Sequence, residues 1–181
     1  MRKIVAGLFV SLDGVVESPE KWHFPYVNDE MTTAVMAQQA GSDTLLLGRA
    51  TYEAFASTWP HRSDPMADHL NNVAKLVVST TLRAADWNNS TLIGGDAVEE
   101  LRRIKAGPGG NIGMTGSVTL TRALLAAGLV DDLHLYVHPI VLGTGTRLFD
   151  ASTGRLPLEL AGSATFTTGV VHLHYRQGQP V

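Results

Sequence analysis

Two short stretches of this sequence combine a glycine with residues that could bind an anion. In the first, the apolar or β-favouring residues 44–47 run into Gly48, Arg49 and Thr51, and a helical pattern follows. A buried strand that passes through glycine directly into a helix directs free backbone N–H groups beyond the strand, where the helix dipole also favours negative charge. The guanidinium of Arg49 adds a planar donor suited to phosphate. This stretch therefore predicts a site for a phosphate-bearing cofactor.

The second stretch, residues 111–125, repeats this pattern. A short predicted strand passes through Thr115, Gly116 and Ser117 into a helix that begins near Val118. Glycine and serine before a helix are also common capping residues, so this motif alone is a weak signal. Two such turns in one chain favour an anion site, because neighbouring parallel strands would place both turns on one edge of a sheet. No G-x-G-x-x-G follows the first strand, so the ordinary Rossmann fingerprint is absent.

Polar and aromatic residues elsewhere have two interpretations each. Ser79 and Thr80 lie at the end of the predicted strand 75–79, where they either cap a turn or contact the phosphate of an adenosine ribose. Residues 15–26 form a long irregular stretch, which is typical of a functional loop. Trp22 in this loop either contributes to a binding site or fills the edge of the core.

Titratable residues outside the glycine turns are interpreted mainly as structural. Asn28 is the predicted cap of a helix, and Asp29 and Glu30 would occupy its first turn, where negative charge suits the dipole. A contact to substrate is the alternative for Asp29 or Glu30. His172 and His174 share one face of a strand, but no third ligand has suitable spacing, so we expect surface histidines and no metal site.

The composition excludes several classes of function. The chain has 181 residues, a formal net charge of -3 and no cysteine, which argues against nucleic-acid binding and excludes disulfides or a cysteine nucleophile. No apolar stretch reaches the ~18 residues that a membrane span requires. The basic start and short apolar run resemble a signal peptide only superficially, because Asp13 interrupts the run and no clean cleavage site follows. We expect one domain, residues 1–181, in the cytoplasm, with no nucleic-acid or membrane partner.

The order of the predicted elements indicates an α/β fold. Apolar strands are predicted at residues 3–10, 44–47, 75–79 and 112–114, with helices between them. Residues 131–139 alternate polar and apolar, and residues 158–167 and 170–176 are predicted to form an antiparallel hairpin around Thr168 and Gly169.

These motifs together resemble the dihydrofolate reductase-like superfamily. The segments SLDG, LLLGRATYE, KLVVSTTL, GMTGSVTL and LVDDLHLYVHPIVLGTGTRLF follow the order of its branch that contains the reductase domain of bacterial riboflavin biosynthesis. The resemblance implies a three-layer α/β/α fold with a mixed, mainly parallel eight-stranded sheet and a C-terminal antiparallel hairpin. It also implies NADPH as cofactor and activity similar to 5-amino-6-(5-phosphoribosylamino)uracil reductase. As in similar reductases, the face around Tyr136 and residues 140–149 could form a homodimer interface.

The resemblance also implies roles for particular residues. Ser11, Trp22, Asp29 and Arg147 would face the substrate, and Arg147 has the alternative of pairing with a carboxylate across a dimer. The residues implied to bind the cofactor are Ala6, Gly48, Arg49, Thr51, Ser79, Thr80, Thr115, Gly116, Ser117 and Val118, with Ser11, Asp13 and Gly14 also on the nicotinamide side.

Our hypothesis from the sequence is hydride transfer from NADPH to a small heterocyclic or sugar-linked substrate. Asp13 is the first candidate to orient or donate the accompanying proton, and Glu17, His23 and Asp29 are the substitutes. A folate reductase is one alternative, although the acidic residue that folate reductases carry early in their second element has no clear counterpart. A non-catalytic sensor or scaffold that binds NADP(H) is the other. The deaminase domain that usually accompanies the riboflavin reductase has no room in this chain.

Overall fold

The fold is built around an eight-stranded sheet, seen in a computed structural model that describes residues 1–179. The strands are β1 (Ile4–Ser11), β2 (Ser42–Gly48), β3 (Ala74–Val78), β4 (Ser90–Ile93), β5 (Asn111–Thr115), β6 (Val130–His138), β7 (Leu158–Thr165) and β8 (Val171–Gln177). The helices are α1 (Asp29–Gln39), α2 (Arg49–Thr58), α3 (Pro65–Asn72), α4 (Ala97–Ala106) and α5 (Val118–Ala126). The single-domain prediction also includes residues 180 and 181, which lie outside the described residues.

The order of strands in the sheet is β4-β3-β2-β5-β1-β6-β8-β7. The strands from β4 to β6 pair in parallel, whereas β8 pairs antiparallel with both β6 and β7. This arrangement confirms the predicted mixed, mainly parallel sheet with an antiparallel C-terminal hairpin. Because β2 and β5 are direct neighbours and parallel, the two glycine turns that follow them lie at one edge of the sheet.

Helices cover both faces of the sheet, which confirms the three-layer prediction. One face packs against α4 and α5 in a core that includes Leu46, Leu101 and Leu124. The other face packs against α2 and α3 around Leu47 and Tyr52, with α1 over β1 and β6. Residues 44–47 are buried throughout, as expected for a strand covered on both faces.

Local sequence signals explain most helix starts. The Asn28 side chain accepts a hydrogen bond from Met31 N at 2.9 Å, so the predicted cap of α1 is confirmed. Asp64 and Asp96 cap α3 and α4 in the same way. No helix within residues 1–179 has both the length and the apolar character needed to cross a bilayer.

Candidate functional site

The two glycine turns meet at the carboxyl ends of β2 and β5. The backbone N–H of Gly48 donates to Ser117 Oγ at 2.7 Å, and the Ser117 hydroxyl donates to Thr51 Oγ1 at 2.9 Å. These bonds join residues 66 to 69 positions apart in the chain. The start of α2 and the start of α5 are therefore held side by side, and we refer to this pair of turns as the double turn.

Close packing explains why glycine occupies two positions of the double turn. A Cβ atom on Gly48 would lie 2.8 Å from Ser117 Oγ. Gly116 has a φ of +64°, and a Cβ atom there would lie 2.9 Å from Thr51 Oγ1. A larger residue at either position would push the two helix starts apart. Glycine at these two positions therefore lets the two helix starts pack closely.

The helix starts at the double turn differ from the others in the fold. The helices α1, α3 and α4 each receive a side-chain cap, from Asn28, Asp64 and Asp96. By contrast, Gly48 and Ser117, which precede α2 and α5, provide no side-chain cap. Their first turns therefore keep backbone donors available at the same edge, where both helix dipoles favour an anion. Two adjacent uncapped starts suit a diphosphate.

The basic and hydroxyl side chains near this edge differ in how exposed they are and in the partners they already bind. Arg49 pairs with Glu53 at 3.1 Å, and both side chains are about half exposed. Ser79 is buried, and its Oγ accepts from the backbone N–H groups of Thr81 and Leu82 at 3.1 and 3.0 Å. The Ser79 hydroxyl therefore caps the turn after β3, which was one of the two interpretations of this residue. Thr80 is exposed.

The remaining predicted cofactor residues divide between the edge and the core. Thr115 is the last residue of β5 and Val118 is the first of α5, so both lie beside Gly116. Ala6 is fully buried in the core with Leu124, on the face covered by α4 and α5. Its methyl group cannot contact a ligand at the edge, so any contact from Ala6 must come from its backbone.

Asp13 does not have the properties of a proton donor. Its carboxylate accepts from Ser11 Oγ at 2.7 Å and from the backbone N–H groups of Leu142 and Gly143 at 3.1 and 2.9 Å. These bonds lower the pKa of Asp13 to about 2, with the Ser11 hydroxyl as the largest cause. At neutral pH Asp13 is therefore a carboxylate that holds residues 142 and 143, in the connection between β6 and β7, in place. The predicted role of Asp13, to orient or donate the proton, stays a prediction, and a carboxylate with a low pKa suits orientation better than donation.

Ser11 and Arg147 belong to the same network. Ser11 is buried and also accepts from Val15 N at 2.8 Å, so its hydroxyl shapes the turn after β1. Arg147 Nε donates to the Asp13 carbonyl at 2.9 Å, and its guanidinium lies 3.6 Å from the Asp13 carboxylate. The charged partner of Arg147 is thus within its own chain. Its side chain is 45% exposed, and the predicted contact to substrate stays a prediction.

Trp22 and the acidic residues of α1 are placed mainly for structure. Trp22 is 8% exposed, and its indole N–H donates to the Glu17 carbonyl at 3.0 Å, so it fills the edge of the core. Asp29 is exposed in the first turn of α1. Glu30 accepts from the backbone N–H and hydroxyl of Thr167 at 2.8 and 2.7 Å, which ties α1 to the β7–β8 turn. The substrate contacts predicted for Trp22 and Asp29 stay predictions.

Sequence reasoning missed a small cavity between α1 and α3. It lies over β2 and β5, on the face of the sheet opposite to α4 and α5, and it ends at Thr115 beside the double turn. No carboxylate is among the residues that line it, which are Gln39, Ser42, Thr44, Leu45, His69, Leu70, Val73, Gly113, Met114 and Thr115. No motif could have indicated it, because its walls come from three separate segments.

The histidines of β8, which we expected at the surface, are partly buried and paired with other side chains. His172 Nε2 lies 2.9 Å from His134 Nδ1, and His174 Nε2 lies 2.7 Å from Asp132 Oδ1. The antiparallel pairing of β6 and β8 brings these side chains together on one face. Burial, followed by the charges of His174 and His172, lowers the pKa of His134 to about 4. Within residues 1–179, no group of three or more histidine or acidic side chains is arranged to hold a metal ion.

The fold and the double turn together define an α/β protein of the dihydrofolate reductase-like class. The family described as the RibD C-terminal domain matches residues 2–172. This chain therefore belongs to that family.

Individual relatives agree with this assignment. The uncharacterized protein YyaP of Bacillus subtilis (strain 168) is 30% identical, with 96% of this chain and 94% of YyaP covered. A crystal structure of a protein from Shewanella sp. PV-4 assigned to riboflavin biosynthesis has a TM-score of 0.80 at 22% identity, with 99% of this chain and all of that chain covered. Dihydrofolate reductase from Enterococcus faecalis, complexed with NADP(H), has a TM-score of 0.65 at 17% identity, with 98% and 97% covered. At these identities the two solved structures show a shared fold.

Proposed function

We propose that this protein is an NADPH-dependent reductase of a small heterocyclic or sugar-linked substrate. The observation that carries the proposal is the double turn, in which two uncapped helix starts are held together by the Gly48–Ser117 hydrogen bond. Membership of the RibD C-terminal family supports a reductase of the type found in riboflavin biosynthesis. The NADP(H) bound by the Enterococcus faecalis enzyme of the same fold supports the choice of cofactor.

The residues present fit a dinucleotide diphosphate. The backbone N–H groups at the starts of α2 and α5 would bind it, and Gly48 and Gly116 allow the close approach that it needs. Arg49 and Thr80 would contact the adenosine 2′-phosphate, because both side chains are exposed near this edge. When bound, NADPH would supply the hydride, and the protein would orient the acceptor and exclude water.

The acceptor side favours a reductase of small heterocycles over a folate reductase. Of the two carboxylates in the first turn of α1, Glu30 is bound to the backbone N–H and hydroxyl of Thr167, so it is not free to bind a folate ring. A bound folate would require a carboxyl group facing its ring. Among the substitutes for Asp13 as proton donor, Glu17 is bound to Thr146 and its pKa is lowered by those bonds. His23 and Asp29 therefore remain the candidates, together with water.

Cofactor binding is tested by closing the double turn with a methyl group. Gly116→Ala combines an unfavourable φ with a contact to Thr51, so we expect the affinity for NADPH to fall at least tenfold in isothermal titration calorimetry. Gly154→Ala is the matched control, because a Cβ atom there meets nothing within 4 Å. Equal NADPH affinity for both variants and the unmodified protein would contradict the proposed cofactor site, as would no binding of NADPH to the unmodified protein.

Turnover distinguishes the reductase from a sensor that only binds NADP(H). We expect NADPH absorbance at 340 nm to be consumed with at least one member of a panel of pyrimidine, pteridine and sugar-linked carbonyl or imine compounds. Tight binding with no oxidation across the panel favours the sensor, and turnover of dihydrofolate favours the folate reductase. The homodimer is part of the same proposal, and sedimentation velocity measures it.

A further inference from the structure

The loop between β1 and α1 is attached to the rest of the fold in two different ways, and the first attachment is to Thr146 in the connection between β6 and β7. Its first part is held by hydrogen bonds, since Val16 N donates to the Thr146 carbonyl at 2.9 Å and the Glu17 carboxylate accepts from Thr146 N at 2.8 Å. Within residues 1–179, no hydrogen bond joins residues 18–27 to the sheet. The hydrogen bonds of residues 18–27 stay within the loop itself, so ring contacts must hold this part in place.

Those ring contacts converge on His138 at the end of β6. The ring centroids of Trp22, Tyr26 and His23 lie 5.1, 5.6 and 6.1 Å from that of His138, and all three planes stand at 81–88° to it. His23 also stacks on Phe9 of β1, with centroids 4.6 Å apart. His138 itself is 0% exposed. Residues 18–27 therefore contribute three of the rings that enclose His138, and Phe9 of β1 contributes a fourth.

The hydrogen bonding of His138 favours the neutral imidazole. Its Nδ1 lies 2.8 Å from the backbone carbonyl of Tyr136, which can only accept, so Nδ1 carries the proton. Its Nε2 is buried without a hydrogen-bond partner among the described residues. A second proton would place an N–H group and a full positive charge in a site closed to water, which is unfavourable unless an acceptor is present.

The surrounding groups offer little compensation for that charge. The titratable side chains that face His138 are His23 and Tyr26 on the loop, and no ion pair involves His138 or His23 within residues 1–179. Burial lowers the pKa of His138, and the carbonyls of Tyr136 and Val10 offset part of this effect. Burial and the charge of His138 lower the pKa of His23, while Glu20 acts in the opposite direction.

We propose that residues 18–27 form a lid that is closed over neutral His138 and opens when His138 is protonated. Opening exposes the charged imidazole to water. It breaks the ring contacts with His138 and Phe9 and the hydrogen bond from the Trp22 indole to the Glu17 carbonyl. The lid follows the turn at Ser11 and Asp13, at the same edge of the sheet as the double turn. Opening of the lid would leave the site no longer closed in mild acid, and this effect on catalysis rests on the proposed reductase function. The opening of the lid itself does not depend on that function.

The lid can be observed directly through Trp22. Fluorine NMR of protein labelled with 5-fluorotryptophan gives one resonance for each of the three tryptophans, and Trp22→Phe assigns that of Trp22. Between pH 8 and pH 4.5 we expect the Trp22 resonance alone to move toward the position of exposed fluorotryptophan. The resonance of buried Trp87 reports whether the fold is intact. The midpoint for Trp22 should coincide with the midpoint of the His138 imidazole, measured by carbon-13 NMR in the same unmodified chain.

A variant without the titrating group provides the second test. His138→Asn keeps an amide donor toward the Tyr136 carbonyl and cannot be protonated, so the Trp22 response should disappear. His61→Gln, which removes an exposed histidine, should leave the response unchanged. The proposal is overturned if the Trp22 resonance stays fixed while Trp87 remains native, if its midpoint differs from that of His138, or if His138→Asn retains the response. These measurements need no cofactor, so a failed reductase assay would not affect them.

Discussion

The hydrogen bond between Gly48 and Ser117 can be tested by two substitutions at one position. Ser117→Ala removes the acceptor for Gly48 N and the donor to Thr51, and each such bond contributes about 0.5–1.5 kcal/mol. We therefore expect Ser117→Ala to lower the free energy of unfolding by about 1–3 kcal/mol. Ser57→Ala is the matched control, because the exposed Ser57 hydroxyl bonds only to a carbonyl of its own helix.

The second substitution separates the hydrogen bonds from backbone strain. Ser117 has a φ of +58°, a conformation that costs a residue with a side chain about 1–2 kcal/mol. Ser117→Gly loses the same hydrogen bonds but relieves this strain. Glycine also has more conformational entropy in the unfolded chain, which lowers the free energy of unfolding by about 0.5–1 kcal/mol. The net expectation is that Ser117→Gly is more stable than Ser117→Ala by about 0.5–1 kcal/mol.

Urea unfolding followed by circular dichroism measures these differences at one pH. The reasoning is refuted if Ser117→Ala is as stable as the unmodified protein, because the bond to Gly48 would then contribute nothing. It is also refuted if Ser117→Gly is less stable than Ser117→Ala, because the left-handed backbone would then carry no strain. If the double turn binds NADPH as proposed, both variants should also lose affinity, since the two helix starts are no longer tied together.

Two further predictions concern buried titratable groups. Lys75 is 1% exposed and donates to the carbonyls of Val73 and Asn88 at 2.8 and 2.9 Å, so Lys75→Met should cost about 2–4 kcal/mol in urea unfolding, and the exposed Lys21→Met almost nothing. Burial lowers the pKa of Lys75 to about 8, so the contribution of Lys75 to the free energy of unfolding should rise between pH 8 and pH 10.5. A difference in unfolding free energy between the unmodified protein and Lys75→Met that does not change over this pH range would contradict this. Burial lowers the pKa of His134 to about 4 from 6.5, so its contribution is complete above pH 6.5 and is lost as the pH falls toward 4. Between pH 6.5 and pH 4, His134→Phe should therefore lose about 2–3 kcal/mol less of its free energy of unfolding than the unmodified protein. The same pH dependence of the unfolding free energy in both proteins would contradict this.

The parts of the fold that were predicted correctly depend on local sequence. The burial of residues 44–47, the Asn28 cap and the hairpin around Gly169 each follow from neighbours within a few positions. The double turn belongs to this group as well. Its two halves were recognised separately, and the single extra assumption that their strands are parallel neighbours brought them together.

The interactions that were missed join residues that are far apart in the chain. Asp13 binds the backbone of Leu142 and Gly143, which are 129 and 130 positions away, and these bonds add to the local bond from Ser11 that lowers its pKa. His134 meets His172 only because β6 and β8 pair in one particular antiparallel register. A strand pattern indicates which residues share a face, but it does not indicate which strand lies beside it or in what register.

The same distinction separates the two halves of the candidate active site. The double turn uses backbone donors, whose positions follow from a strand, a glycine and a helix start, so its chemistry can be derived from the sequence. The cavity between α1 and α3 is lined by side chains from two helices and two strands, and Gln39, His69 and Thr115 reach it only through the tertiary fold. Relatives that share the glycines can therefore differ in substrate. If this cavity belongs to the acceptor site, changes at Gln39 or His69 should alter the choice of acceptor while leaving NADPH affinity unchanged, whereas changes at Gly48 or Gly116 should reduce NADPH affinity for every acceptor.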